Sequence, residues 1–254
     1  MEVELHIGVH RVFGQVLRIG CSMLPPESGH SVKLLDEEYK TIVLPAISDI
    51  MAATSSDDVI KRKIMLLNDL NSDRIIISKA SILCQEDKIY TKGVVYGNLD
   101  ASLANIIDLF SGCEIVIHLC ITNMYDFITG VRGLSQRRFD SGLVQKEFVG
   151  FSWHRLVSNI RDIAPMVPIE VWDCENRREA SLDFISGVLG VDVKDVQRKM
   201  GQKGLDKLFH HVDSEATYSN SLIVPDDIGT RLDLMYDDDL EKVAGIRGVT
   251  LWRG

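Results

Sequence analysis

The chain has 254 residues, 45% of them hydrophobic and 26% charged, enough to bury a sizeable core and suited to one large domain or two small ones. Its formal net charge of −9 and pI near 5.3 work against non-specific binding to DNA or RNA, which needs a basic surface to neutralise phosphates. They leave room for a small basic pocket holding one anionic cofactor. No uncharged apolar stretch approaches the roughly 20 residues of a membrane helix. Met1-Glu2-Val3-Glu4 opens without the basic and apolar regions of a secretory signal, so a cytoplasmic protein is expected.

Residues 3–9 alternate and are β-rich, which predicts a first strand, and a helix follows over about 15–23. Pro25-Pro26-Glu27-Ser28-Gly29 is a loop. Residues 36–53 read as helical with a break near Pro45, and Ser55-Ser56-Asp57-Asp58 opens a helix that runs to Leu70. Arg74-Ile75-Ile76-Ile77-Ser78 is a run suited to a parallel strand covered on both faces. A helix over 98–109, a buried strand over 114–120 and a helix over 123–131 come next. Residues 132–150 are polar, basic and Gly-bearing, and read as a long loop or lid. A helix over 152–164, a strand over 168–172 and a helix over 175–189 precede a charged helical remainder.

Alternating strands and helices predict an α/β fold with a mostly parallel central sheet in three α/β/α layers. No internal repeat and no linker composition divides the chain, so residues 1–254 are expected to form a single domain. The five cysteines show no CxxC pairing, which argues for a reducing compartment and against a zinc knuckle. Neighbouring His210 and His211 point in different directions on any helix or strand, and Asp237-Asp238-Asp239 lacks EF-hand spacing, so no metal is expected. That acidic run reads as a solvated cluster starting a helix.

In an open parallel sheet, ligands bind beyond the carboxyl ends of the strands. The first such end is the most informative, because a strand breaks at Gly8 and delivers His10 and Arg11 just before a helix. A helix N-terminus offers free N–H groups and a positive dipole end to phosphate or sulfate. The Walker pattern GxxxxGK[ST] is absent. His6 and His118 sit on buried strands and read as hydrogen-bonded structural residues, whereas His10 at the turn is placed to act as a base or anion ligand. Arg132, Arg137 and Arg138 form a basic patch in the lid.

Leu5-His6-Ile7-Gly8-Val9-His10-Arg11 resembles the opening of bacterial sulfotransferase-like proteins, L-H-I-G-x-x-K-T-G-T-T. In the same order, Arg74-Ile75-Ile76-Ile77-Ser78 resembles that family's second strand, which ends in Ser, and Leu109-Phe110-Ser111-Gly112-Cys113-Glu114-Ile115-Val116-Ile117-His118-Leu119 resembles its L-F-P-G-A-E-V-V-V-x-L strand. Ser152-Trp153 with residues 168–172, and Tyr236-Asp237-Asp238-Asp239-Leu240 ending at Gly248-Val249-Thr250-Leu251, resemble its later segments.

The resemblance implies a P-loop-related sheet and transfer of a sulfuryl group from 3′-phosphoadenosine 5′-phosphosulfate (PAPS) to a hydroxyl or amine of a small molecule or glycan. It places the family Lys on Arg11 and its T-G-T-T on Val12, Phe13, Gly14 and Gln15. The implied catalytic residues are His10 and Arg11. The implied cofactor contacts are Gly8, Arg11, Gly14, Gln15, Ser78, Thr122, Arg132 and Arg138, with Thr129 or Ser135 standing in for the Ser that holds the 3′-phosphate. Two phosphate-binding hydroxyls are lost at Val12 and Gln15, Phe13 stands where the family has Gly, and Ala80 where it often has a Glu base. The alternative reading is therefore a catalytically inactive binding or assembly protein, a pseudoenzyme on the same fold.

Overall fold

The structure is a computed structural model that describes residues 1–8, 13–24, 31–35, 38–53, 55–79, 82–83, 89–91, 94–96, 99–127, 152–217 and 226–253. Along the chain run β1 (Glu2–His6), α1 (Gly14–Met23), β2 (Val32–Leu35), α2 (Leu44–Met51), α3 (Ser56–Leu70), β3 (Arg74–Ser78), β4 (Tyr90–Thr91) and β5 (Val94–Val95). Then come α4 (Asp100–Leu109), β6 (Glu114–Ile121), α5 (Trp153–Ile163), β7 (Ile169–Asp173), α6 (Arg177–Leu189), α7 (Val193–Thr217), α8 (Asp226–Ala244) and β8 (Val249–Arg253).

Six strands form one sheet in the order β2-β3-β1-β6-β7-β8, with every pairing parallel. β4 and β5 make a separate antiparallel hairpin. The fold is the expected α/β/α arrangement: α1, α6 and α7 pack together on one face, while α2, α3, α4, α5 and α8 are linked by mutual contacts on the other. No helix among the described residues is long and apolar enough to cross a membrane.

Successive side chains of a strand face opposite sides of the sheet. Val3, Leu5 and Ile7 of the β1 segment are fully buried on one side, as are Ile75 and Ile77 of β3. The other side is polar although it is equally buried. Glu4 is 6% exposed, His6 2% and His118 1%. Ser78, His6, His118 and Glu170 lie level with one another across β3, β1, β6 and β7. Phe184 of α6 covers this row, its ring centroid 4.9 Å from that of His6 and 5.6 Å, edge-on, from that of Trp172.

Several expectations need adjustment. β1 ends at His6, not at Val9. The break expected at Pro45 is a π-helical turn over Tyr39–Val43 leading into α2, with the Leu44 N–H donating to the Tyr39 carbonyl. Pro45 has no N–H to extend an α-helical ladder backwards, so the preceding turn widens. The helix expected from 98 starts at Asp100, and the one expected over 123–131 is a helical turn at 124–127 among the described residues. β2 and β8 were not expected as strands on pattern; each is a short edge strand of four or five residues. In the charged C-terminal region, α7 is two helices meeting at Gly201, whose φ of 61° suits glycine.

The acidic run Asp237-Asp238-Asp239 lies inside α8, not at its start. Asp239 is 5% exposed and caps α5. Its carboxylate accepts from the Ser152 hydroxyl at 2.6 Å and from the Trp153 N–H at 2.5 Å. Ser152 in turn accepts from the Arg155 N–H, so the α5 N-terminus is satisfied from both sides. Tyr236, one turn back on α8, donates its hydroxyl to Asp173 at the end of β7 at 2.6 Å. Burial and that carboxylate push the phenol well above its ordinary range. Hydrogen bonds to a buried charged acceptor contribute about 1.5–3 kcal/mol each. Asp239→Ala is expected to lower unfolding free energy by about 2–4 kcal/mol in urea denaturation, with Asp239→Asn losing roughly half as much. A loss below about 0.5 kcal/mol for Asp239→Ala would show that the cap does not hold α5.

Candidate functional site

The sheet's connections diverge at one place. From β1 the chain passes through α1 to β2 at the sheet edge, whereas from β3 it passes through α4, on the opposite face, to β6 on the far side of β1. The carboxyl ends of β1 and β3 therefore flank the topological switch point, where open α/β sheets form their ligand crevice.

His6 and Ser78 are the last residues of these two strands, and they are joined. His6 Nδ1 and Ser78 Oγ are 2.8 Å apart and buried. The other ring nitrogen, Nε2, is buried and has no hydrogen-bond partner among the described residues. The ring leans along β1 toward its carboxyl end: a Cβ placed on Gly8 would lie 2.3 Å from Nε2 and 3.0 Å from Cε1. No side chain fits at Gly8 while His6 keeps this rotamer. The glycine expected to approach a cofactor is thus required first by the histidine two residues before it. Burial, and then the neighbouring His118, lower the His6 pKa from 6.5 to about 3, so the ring is neutral at neutral pH.

His118 contrasts with its neighbour. Its Nε2 lies 2.7 Å from Glu4 Oε2, and the Trp172 indole N–H donates to its Nδ1 at 3.2 Å. Arg74 binds Glu2 through Nε at 2.6 Å and stands 3.8 Å from Glu4, so the charge beneath the row is paired. Both histidines were expected to be satisfied structural residues. His118 is, and His6 is so at one nitrogen only.

Phe13 sits at the N-cap of α1 with φ 56° and ψ 8°, the left-handed region. A non-glycine residue there costs roughly 1–2 kcal/mol. The 1% exposed ring, packed 5.7 Å from Phe184, offsets it. The Phe13 side chain thus points into the core, away from the face of α1's first turn. Phe13 supplies no side-chain cap, and the first turn of α1 carries no acidic residue. Gly14 and Gln15 are exposed there, and a Cβ on Gly14 would meet nothing within 4 Å among the described residues beyond its chain neighbours and its own helix backbone. These features suit an anion at the helix N-terminus.

Of the other expected site residues, Thr122 is 2% exposed just beyond β6. Its carbonyl accepts from the Trp153 indole at 2.9 Å, and its hydroxyl is buried without a partner among the described residues. His10, Arg11, Thr129, Arg132, Ser135, Arg137 and Arg138 lie outside the described residues, as do Val12, Ala80 and Cys84. Burial pushes the Cys21 thiol up to about 11, and burial together with Cys174 raises Cys120, so neither is a thiolate at neutral pH. Among the described residues no cluster suited to a metal ion occurs.

Sequence reasoning missed the carboxylates that converge beyond β6 and β7. Glu175 is raised above its ordinary carboxyl range by burial and then by Asp173, Asp237, Asp233 and Asp126. Asp126 pairs with Arg177 at 3.0 Å, and Asp173 accepts from the Glu175 N–H as well as from Tyr236. These carboxylates come from three separate segments, so no local pattern announced them.

No protein-family model matches the chain, and no curated protein matches it.

If the His6 ring is what excludes a side chain at position 8, the two positions are energetically coupled. Gly8→Ala in the native background is expected to cost about 1–3 kcal/mol through overpacking. In a His6→Ala background the same change is expected to cost less than about 0.5 kcal/mol, a coupling measured by a double-mutant cycle in urea. Equal costs in both backgrounds would disprove the coupling.

Proposed function

We propose that the chain is a divergent sulfotransferase-like protein that binds a nucleotide carrying phosphate or phosphosulfate at the N-terminus of α1. One observation carries the reading. The resemblance aligns the family's loop glycine with Phe13, and Phe13 holds the left-handed backbone that glycine adopts most readily. The open first turn at Gly14 and the switch-point position support it. PAPS would supply an activated sulfuryl group for transfer to a hydroxyl or amine acceptor. For the chain's part, the N–H groups of α1's first turn would face the 5′ end of the nucleotide. Arg11 would supply the cation, and His10 at the same turn would accept the acceptor's proton. Arg132 and Arg138 would complete the pocket at the 3′-phosphate.

A second reading, a non-catalytic binding or assembly protein in the cytoplasm, is favoured by a specific observation. Carboxylates gather at the neighbouring ends of β6 and β7 around Glu175, and they repel a polyanionic nucleotide lying in that direction. The same group would favour a cationic amine over a neutral hydroxyl as acceptor if transfer occurs.

Calorimetric titration with adenosine 3′,5′-bisphosphate separates the two readings. The first predicts micromolar binding, weakened about tenfold or more in Arg11→Ala by loss of a charge-assisted contact. An absence of binding at millimolar concentration sinks it and leaves the second.

A further inference from the structure

The sheet ends at β8, and no strand among the described residues pairs with the outer side of β8. An open edge is a template for another strand, and monomeric proteins blunt it with charge, proline or a bulge. The far edge has such a charge, Lys33 inside β2. The interior of β8, Thr250-Leu251-Trp252, carries no charge and no proline.

Trp252 marks the same edge independently. It lies directly opposite Trp172 of β7, and the two rings stack with centroids 5.2 Å apart and planes 10° from parallel. Trp172 is buried beneath α6, where Phe184 meets it edge-on and a Cβ on Gly187 would lie 2.4 Å from its ring. Trp252, one strand farther out, is 45% exposed. A large aromatic side chain held in place by stacking and open to water is the type of anchor on which protein interfaces rely.

The backbone decides which groups the edge presents. The Gly248 carbonyl accepts from the Ile169 N–H at 3.3 Å. Backbone groups turn to alternate sides along a strand, so Thr250 and Trp252 also direct theirs to β7. Val249, Leu251 and Arg253 direct theirs outward.

A second copy of β8 fits this pattern. With a two-fold axis at Leu251, an antiparallel partner strand sets Leu251 against the partner's Leu251 and Val249 against the partner's Arg253. Every outward residue then exchanges both of its backbone hydrogen bonds. Thr250 falls opposite the partner's Trp252, and symmetry repeats the contact. That pair occupies the closely spaced position between hydrogen-bonded pairs, where aromatic and β-branched side chains stabilise one another. Arg253, the charged residue of β8, faces Val249 and not its own copy, so like charges do not meet.

We propose that β8 is a homodimerisation edge, across which two copies of this chain join their sheets antiparallel about Leu251. The interface is isologous, as a two-fold dimer requires. An edge of this length buries less than the roughly 800 Å² per partner of a standard interface, so the dimer is weak and depends on concentration. The proposal does not rest on the nucleotide reading.

The test is sedimentation of the full chain over a concentration series reaching about 1 mM, the range of weak association, with amide hydrogen exchange read at both ends of the series. The expected result is a reversible monomer–dimer equilibrium. The Val249 and Leu251 amides exchange more slowly as dimer forms, whereas those of Thr250 and Trp252 are protected at every concentration. Leu251→Pro removes an outward donor from each copy and leaves the ladder to β7 intact. It is expected to weaken the dimer by about tenfold or more. Trp252→Lys acts through the side chain instead, is expected to weaken it similarly, and serves if the proline variant does not fold. A chain that stays monomeric throughout the series overturns the proposal and leaves the edge to a different partner. A dimer that keeps its affinity in Trp252→Lys, or whose Val249 and Leu251 amides exchange as fast as in the monomer, overturns it as well.

Discussion

A polar row buried inside a parallel sheet has to be satisfied by its own members, and the bond between His6 and Ser78 is where this row meets the carboxyl edge of the sheet, the edge at which open α/β sheets generally form their crevice. Parallel sheets covered on both faces are usually apolar on both. Here one face carries Glu4, His6, His118 and Glu170 beneath α6. Burying such groups unpaired would cost several kcal/mol each. Glu4 is placed against His118 and near Arg74, His118 receives the Trp172 indole, and His6 takes Ser78. The register of four strands is thereby tied to specific side chains as well as to backbone bonds, because a slip by one residue would send every member of the row into the apolar face.

This row also fixes features that a family comparison would assign to cofactor binding. Gly8 is small because the His6 ring lies over it. Ser78 has its hydroxyl committed to His6 Nδ1. Phe13 supports the same ring indirectly through Phe184. The end of β1 and the N-cap residue of α1 thus share a packed aromatic and imidazole base through Phe184.

Much of the fold was legible because long buried strands leave dense signals. Arg74-Ile75-Ile76-Ile77-Ser78 reads as a covered strand from its β-branched run, and the structure puts β3 at those residues. The edge strands were not legible. β2 holds four residues after a Pro- and Gly-bearing stretch, and β8 mixes Thr, Trp and Arg in five. Long-range polar contacts leave no local trace either. Asp239 sits in a run of three aspartates that looks solvated, yet its partner Ser152 lies 87 residues earlier in the chain. The switch-point location of the site was foreseeable from the strand–helix alternation. That His6 Nε2 stands without a partner among the described residues was not, because such a nitrogen is a property of three-dimensional packing.

The central claim is that an anion sits at the N-terminus of α1, beyond the carboxyl end of the sheet. A crystal structure of the chain grown with adenosine 3′,5′-bisphosphate tests this most directly. The account predicts a phosphate within hydrogen-bond distance, about 2.7–3.2 Å, of the first N–H groups of α1. A nucleotide bound elsewhere on the molecule would contradict it.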